Sequence, residues 1–217
     1  MQKILPKYKK LVFATHNEGK IKELDFLFKS SIFSNIEILK AADLGVVEPR
    51  EIGSTFEQNA LIKAQYVAST TKLPSIADDS GLCIEALDDF PGVRSAELAE
   101  ELGNNERDFN ASMLYVLDKL KRSGYTDKKN RHAKFVSCLC LCNIGEEPKF
   151  FRGEIKGIIA KEILGKDGFG YDSIFIPLNA SLSFGQMNVE EKNSYPTHRV
   201  LAMQKLLTYM EQHIRCV

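Results

Sequence analysis

No stretch of this chain stays apolar for the roughly 20 residues that a membrane span requires. The opening Met1-Gln2-Lys3-Ile4-Leu5-Pro6 also lacks the long apolar run of a secretory leader. Net charge is missing too, since 29 Lys and Arg balance 29 Asp and Glu. A general nucleic-acid binder shows a basic excess or stripe, so neither RNA nor DNA is an expected partner. An anionic ligand has to be held by a few placed cations. Cysteine is sparse and odd in number, five without framework spacing, which points to free thiols in a reducing compartment rather than disulfides. No internal repeat, low-complexity tract or long linker divides the chain, so a single domain over residues 1–217 is expected. The expectation is a cytoplasmic protein that contacts neither membrane nor nucleic acid.

What is present is an ordinary globular balance, 44% apolar and 27% charged, with enough residues for a large core. Leu11-Val12-Phe13-Ala14 reads as a buried strand, followed by a helix with Ile21, Leu24 and Phe28 on one face. A second strand is expected near residues 36–39. Ser54-Thr55-Phe56-Glu57-Gln58 offers overlapping capping boxes for a helix that buries Phe56, Ala60, Ala64, Val67 and Ala68. A strand over residues 73–77 is expected to end on Asp78-Asp79-Ser80-Gly81, with a short continuation over 82–87. Asn104 or Asn105 should cap a helix striped by Phe109, Met113, Val116, Leu117 and Leu120. Strands over 133–142, 149–156 and 173–177 and a helix from Thr197 complete an α/β pattern with a mixed sheet. Cys138, Cys140 and Cys142 share one strand face and read as core, because the C-x-x-C chelate turn is absent. The run Lys128-Lys129-Asn130-Arg131-His132 reads as a solvated loop.

Four segments have the composition of a site. Thr15-x-Asn17-x-Gly19-Lys20-x-x-Glu23 sits where a strand meets a helix, a place that favours phosphate. It is not a Walker loop, which the chain lacks throughout. Asp78 and Asp79 are adjacent carboxylates that would repel a phosphate unless a cation intervened, and Mg2+ takes such oxygens together with substrate phosphates. Gly168-Phe169-Gly170-Tyr171-Asp172 combines close-approach glycines with rings on which a base can stack. Lys192 can balance phosphate charge, and His198-Arg199 carry N–H donors suited to carbonyl oxygens on a base edge. Taken singly, each has a structural reading: a capped helix start, an Asp-rich turn, a hairpin loop with aromatic plugs, a surface loop.

In order along the chain the segments resemble the inosine triphosphate pyrophosphatase (Ham1-like) family. The likeness rests on A-T-x-N-x-G-K-x-x-E at 14–23, G-x-T-F-x-x-N-A at 53–60, A-D-D-S-G-L at 77–82, P-G-V-x-S-A at 91–96, G-F-G-Y-D at 168–172, and E-E-K-N with H-R over 190–199. The resemblance implies an elongated α/β fold, two lobes around a long mixed sheet with flanking helices, a nucleotide cleft between the lobes, and a homodimer. It implies that Thr15, His16, Asn17, Glu18, Gly19 and Lys20 bind the triphosphate, with Lys63 and Lys192 on the phosphate side. Ser80 would contact substrate, Phe169, Gly170, Tyr171 and Asp172 would cradle base and sugar, and His198 with Arg199 would read the base. Asp79 would be catalytic and, with Glu51, hold Mg2+, one or more ions per subunit, while Lys20 and Asp78 assist.

The implied reaction is hydrolysis of ITP, dITP or XTP to monophosphate and pyrophosphate, which clears such nucleotides from the pool. Water attacks the α-phosphorus in line while lysines neutralise the departing oxygens. Hypoxanthine and xanthine carry a 6-oxo acceptor where adenine presents an amino donor, so N–H donors from Arg199 or His198 favour the former. The chain departs from the family pattern at Glu97-Leu98, at a Lys192-to-His198 interval one residue longer, and at Ser173 where Pro is common. A Maf-type nucleotide pyrophosphatase preferring pyrimidines, and a nucleotide-binding module without turnover, are the alternative readings.

Overall fold

The computed structural model describes every residue except 1–3, 6–7, 105, 194, 214 and 217. In chain order its elements are β1 (Ile4–Leu5), β2 (Lys10–Phe13), α1 (Glu18–Lys29), β3 (Glu37–Lys40), α2 (Phe56–Thr71), β4 (Ser75–Ile84) and β5 (Phe90–Pro91). Then follow α3 (Ser95–Leu102), α4 (Phe109–Arg122), β6 (His132–Cys142), β7 (Lys149–Ile159), β8 (Phe175–Pro177), α5 (Val189–Asn193), α6 (His198–Gln212) and β9 (Arg215–Cys216). The fold is α/β with a mixed sheet in the order β3-β2-β4-β6-β7-β8, to which β5 adds on β4, while β1 and β9 form a separate antiparallel pair. Among the described residues no helix is long and apolar enough to cross a membrane.

The chain divides into two compact units, and the long strands contribute to both. The first comprises Met1–Asp79, Ser137–Gly153 and Arg199–Val217. In it β2 pairs in parallel with β3, Val12 opposite Leu39, and with β4, Phe13 opposite Ile76. Parallel pairing needs crossover connections, and α1 and α2 supply them. The expected stripe of α1 is buried at Ile21, Leu24 and Phe28, and that of α2 at Phe56, Ala60, Ala64, Val67 and Ala68. Thr55 caps α2 by accepting from the Gln58 N–H as expected, while the Gln58 side chain returns to the N–H of Ser54, one residue before the position a capping box uses. Leu11, Phe13, Leu24, Phe28, Phe33, Leu139, Leu141 and Leu206 lie in one core, each contributing about 1.5–3 kcal/mol by its burial. Cys138, Cys140 and Cys142 are free, buried thiols of a core strand as expected, and burial pushes that of Cys138 up to about 12.

The second unit comprises Ser80–Val136 and Glu154–His198. Leu82, Ile84, Met113, Val116, Leu120, Phe135, Phe175 and Phe184 form its core. Four expectations need correction. Residues 78–81 do not end a strand; they lie inside the ten residues of β4. An unforeseen helix, α3, fills the segment rich in Glu, Leu and Ala after the turn, all good helix formers. The cap of α4 is Asp108, whose side chain accepts from the Ala111 N–H at 2.9 Å. Asn104 instead adopts a left-handed backbone (φ 54°), and Asn105 lies outside the described residues. Arg131 is not solvated: it is buried, and its guanidinium donates to the carbonyls of Ile159, Ala160 and Tyr125.

Candidate active site

The acidic pair derives its geometry from strand alternation. Consecutive side chains of a β-strand point to opposite faces, so two neighbouring carboxylates inside β4 need not confront each other. Each meets a different set of partners, all in the first unit.

Asp78 is fully buried and fully bonded. Its Oδ1 accepts from the Ser137 hydroxyl at 2.6 Å, and its Oδ2 meets Lys20 Nζ at 3.0 Å and Arg199 Nε at 3.3 Å. Burial works to raise its pKa, but the charges of Lys20 and Arg199 prevail and hold it well below the usual carboxylate range. Arg199, itself 1% exposed, also pairs through Nη1 with Glu23. Asp78 is therefore an anion at neutral pH, and it fixes two cations.

Asp79 is placed differently. Its Oδ1 lies 3.2 Å from Lys63 Nζ, and Lys63 also reaches Glu51 Oε1 at 2.9 Å. Its Oδ2 is buried with no hydrogen-bond partner among the described residues. Burial, joined by the charge of Glu51, outweighs the pull of Lys63 and pushes Asp79 up to about 7. For Lys63 burial acts downward, but Asp79 and Glu51 overcome it and raise the ammonium above its ordinary value. Burial likewise acts to raise Glu51, yet Lys63 leaves it lowered. In this cluster, among the described residues, four carboxylates (Glu23, Glu51, Asp78, Asp79) face three cations (Lys20, Lys63, Arg199), and Asp79 is the carboxyl that ionises least readily.

The glycine-lysine segment is positioned by the start of α1. Asn17 caps the helix, its Oδ1 accepting from the Lys20 N–H at 3.1 Å, and buried Thr15 accepts from the Asn17 N–H at 3.2 Å. The His16 ring lies 3.0 Å from the Val46 carbonyl, and Glu18 pairs at the surface with Lys40 at 3.6 Å. Gly19 lies in the first turn of α1, one residue before Lys20.

The remaining predicted residues belong to the second unit. Ser80 is half-buried in β4. Gly168 (φ 80°) and Gly170 (φ 66°) take the left-handed backbone, and a Cβ at Gly168 would come within 2.2 Å of Asp172 Oδ2. That oxygen accepts from the Phe169 N–H at 3.0 Å and from Lys192 Nζ at 2.7 Å. Phe169 presents an exposed ring, whereas Tyr171 is buried against Phe109, ring centroids 5.6 Å apart. The buried His198 ring stacks on Phe135 at 5.1 Å.

Two members of the first cluster had no assigned role in the sequence reading. Glu23 lies three residues after Lys20 on α1, a spacing that puts both on one helix face. Ser137 offered a fainter signal, a hydroxyl within an apolar strand, where a buried polar group requires a partner. Ser137→Ala is expected to destabilise the protein by about 1–3 kcal/mol, because Asp78 loses a buried donor. Urea unfolding checks this, and an unmoved midpoint would mean that another donor takes over.

The chemistry the first cluster can support is proton transfer at Asp79 beside fixed positive charge. Its donor set also fits a hard divalent cation: oxygens only, one of them buried and unpartnered, with Glu51 34% exposed. Among the described residues no group of three or more His, Cys, Asp or Glu is arranged to hold a metal ion, so any such ion would complete its shell with water or ligand oxygens.

Comparison with known proteins shows the family. The model of the Ham1 family matches residues 11–209. A Brucella melitensis protein named dITP/XTP pyrophosphatase is 42% identical over 186 residues, covering 86% of this chain and 83% of its own. A Rhizobium meliloti protein of the same name is 43% identical over 187 residues, 86% of each chain. Among solved structures, a HAM1 protein from Coxiella burnetii superposes with a TM-score of 0.81 at 33% identity, over 94% of this chain and 98% of that one. With its site residues spread over the matched length, this chain belongs to the Ham1 family.

Proposed function

We propose that the chain is a nucleoside-triphosphate pyrophosphatase that hydrolyses ITP, dITP and XTP to the monophosphate and pyrophosphate with Mg2+, clearing these nucleotides from the pool. The observation that carries the reading is the Lys63–Asp79–Glu51 cluster, in which one carboxylate oxygen is buried without a partner beside a buried, protonated lysine. The names of the two relatives support the substrate class.

In this proposal Asp79 accepts the proton of the attacking water at its carboxylate. The water oxygen bonds to the α-phosphorus as the bond to the bridging oxygen of the β-phosphate breaks, and pyrophosphate leaves. Lys63 stays charged through the step, because its pKa is raised, and presents fixed positive charge to the developing anion. Lys20 is held in place by Asp78 for the same purpose. Mg2+, which Glu51 and Asp79 would hold, would neutralise phosphate charge and favour ionised Asp79 when bound. Thr15, His16, Asn17, Glu18 and Gly19 are proposed to border the triphosphate, with Lys192 also on the phosphate side and Ser80 contacting substrate. Phe169, Gly170 and Asp172, on the loop that also carries buried Tyr171, are assigned to base and sugar, and His198 with Arg199 to the 6-oxo group. The working form is proposed to be a homodimer in the cytoplasm.

Turnover of ITP in 18O-labelled water tests the bond that breaks. The reading expects the label in the monophosphate. Label in the pyrophosphate, or orthophosphate as product, would contradict attack at the α-phosphorus.

A further inference from the structure

One sequence motif, P-G-V-x-S-A at residues 91–96, has no part in the reaction as described. In the structure it lies in the second unit, where its serine joins three segments. Ser95 is buried at the first position of α3. Its hydroxyl donates to the Gly92 carbonyl at 2.7 Å and accepts from the Leu82 N–H at 3.0 Å. Its own carbonyl accepts from the Tyr171 hydroxyl at 3.0 Å. The packing around this residue leaves no slack: a Cβ added at Gly81 would come within 2.2 Å of the Gly92 carbonyl oxygen and 2.5 Å of Ser95 Oγ. The turn that brings Gly92 there runs through left-handed Asp88, Asp89 and Gly92.

We propose that Ser95 is a positioning residue, which anchors the glycine-aromatic loop 168–172 to β4 through the Tyr171 hydroxyl. Tyr171 is then an anchor rather than a stacking surface: its ring is 3% exposed, it packs edge-on against Phe109, and its hydroxyl is engaged by Ser95. Asp172, the next residue, in turn bonds the Phe169 N–H and Lys192 Nζ. Ser95 thus sets, through Tyr171, where the exposed Phe169 ring and Lys192 ammonium stand. The part of this inference that concerns substrate rests on the reading that Phe169 and Lys192 meet the nucleotide.

Tyr171→Phe keeps the buried ring and removes only the hydroxyl, so it serves as the first variant; Ser95→Ala, the second, keeps the carbonyl that Tyr171 meets but cuts the hydroxyl's bonds to Leu82 and Gly92. Losing one buried hydrogen bond should speed amide hydrogen exchange at Phe169 and its neighbours about fivefold or more, with α1 unchanged. In steady-state turnover of ITP, KM should rise by about the same factor while kcat holds within about twofold. In a Phe169→Ala background, Tyr171→Phe should add almost nothing to KM, since the hydroxyl acts through that loop. Unchanged exchange in loop 168–172 for both variants would overturn the proposal, whatever the protein hydrolyses. Faster exchange with KM unmoved, or full additivity with Phe169→Ala, would overturn the link to substrate. Faster exchange in the variants, with no pyrophosphate released by the wild-type protein, would support the anchor and reject the enzymatic reading.

Discussion

Asp79→Asn is expected to lower pyrophosphate release about a thousandfold or more and, at the same time, to stabilise the metal-free protein. The first effect follows from removing the proposed proton acceptor and one of two proposed metal oxygens in a single change. The second follows from linkage. The Asp79 carboxyl is raised from 3.8 to about 7 in the folded protein, first by burial and then by Glu51. Below pH 3.8 both folded and unfolded chains carry the proton, and the site is neutral to stability. As pH rises toward 7 the unfolded chain ionises while the folded one resists, so stability is lost across that window and the deficit is complete above pH 7. Asparagine cannot ionise, so at pH 8 in EDTA the variant should gain on the order of a few kcal/mol in urea unfolding, and at pH 4 almost nothing. A variant with most of its turnover would remove Asp79 from the mechanism. A variant less stable at pH 8 would show that the native carboxylate is ionised and satisfied.

The neighbouring residue should behave in the opposite sense. Asp78→Asn is expected to destabilise by about 3–5 kcal/mol, because it leaves Lys20 and the buried Arg199 guanidinium without their shared counter-charge. The Asp78 carboxyl is lowered in the folded state against the opposing effect of burial, by Lys20 and Arg199. Its contribution is therefore present above the unfolded carboxylate pKa and is lost as pH falls below it. The variant should unfold at markedly lower urea near pH 7 and lose that difference toward acid. A deficit under about 1 kcal/mol at pH 7 would mean that Glu23 alone can hold Arg199 and that Asp78 is not the centre of the cluster. On the proposed reading, one strand carries two adjacent aspartates with opposed tasks, one that stabilises and one held at a cost to stability for chemistry.

The aspartate pair also shows where sequence reasoning reaches and where it stops. The apolar stripes of α1 and α2 were legible because burial follows helical spacing, as Ile21, Leu24 and Phe28 show. The alternation of Cys and Leu in β6 was legible for the same reason with a period of two. Two charged residues in an apolar run suggested a turn, since buried carboxylates are rare without partners. Their partners came from Lys20, Lys63, Ser137 and Arg199, which lie between 16 and 121 positions away, and no local pattern announces such pairings. Arg131 was misread on similar grounds: flanked by Lys128 and Lys129, it looked solvated, yet it bonds carbonyls of residues 159 and 160. The family motifs pointed to candidate site residues, but only coordinates separate the surroundings of Asp78 from those of Asp79, or the exposed Phe169 from the buried Tyr171.

The most direct test of the central claim is pyrophosphate release from ITP, XTP, ATP, GTP and UTP in parallel, with Mg2+ and with excess EDTA. The account predicts metal-dependent pyrophosphate from ITP and XTP and little from the other three. Faster cleavage of UTP, orthophosphate as product, or no product from any nucleotide would contradict it.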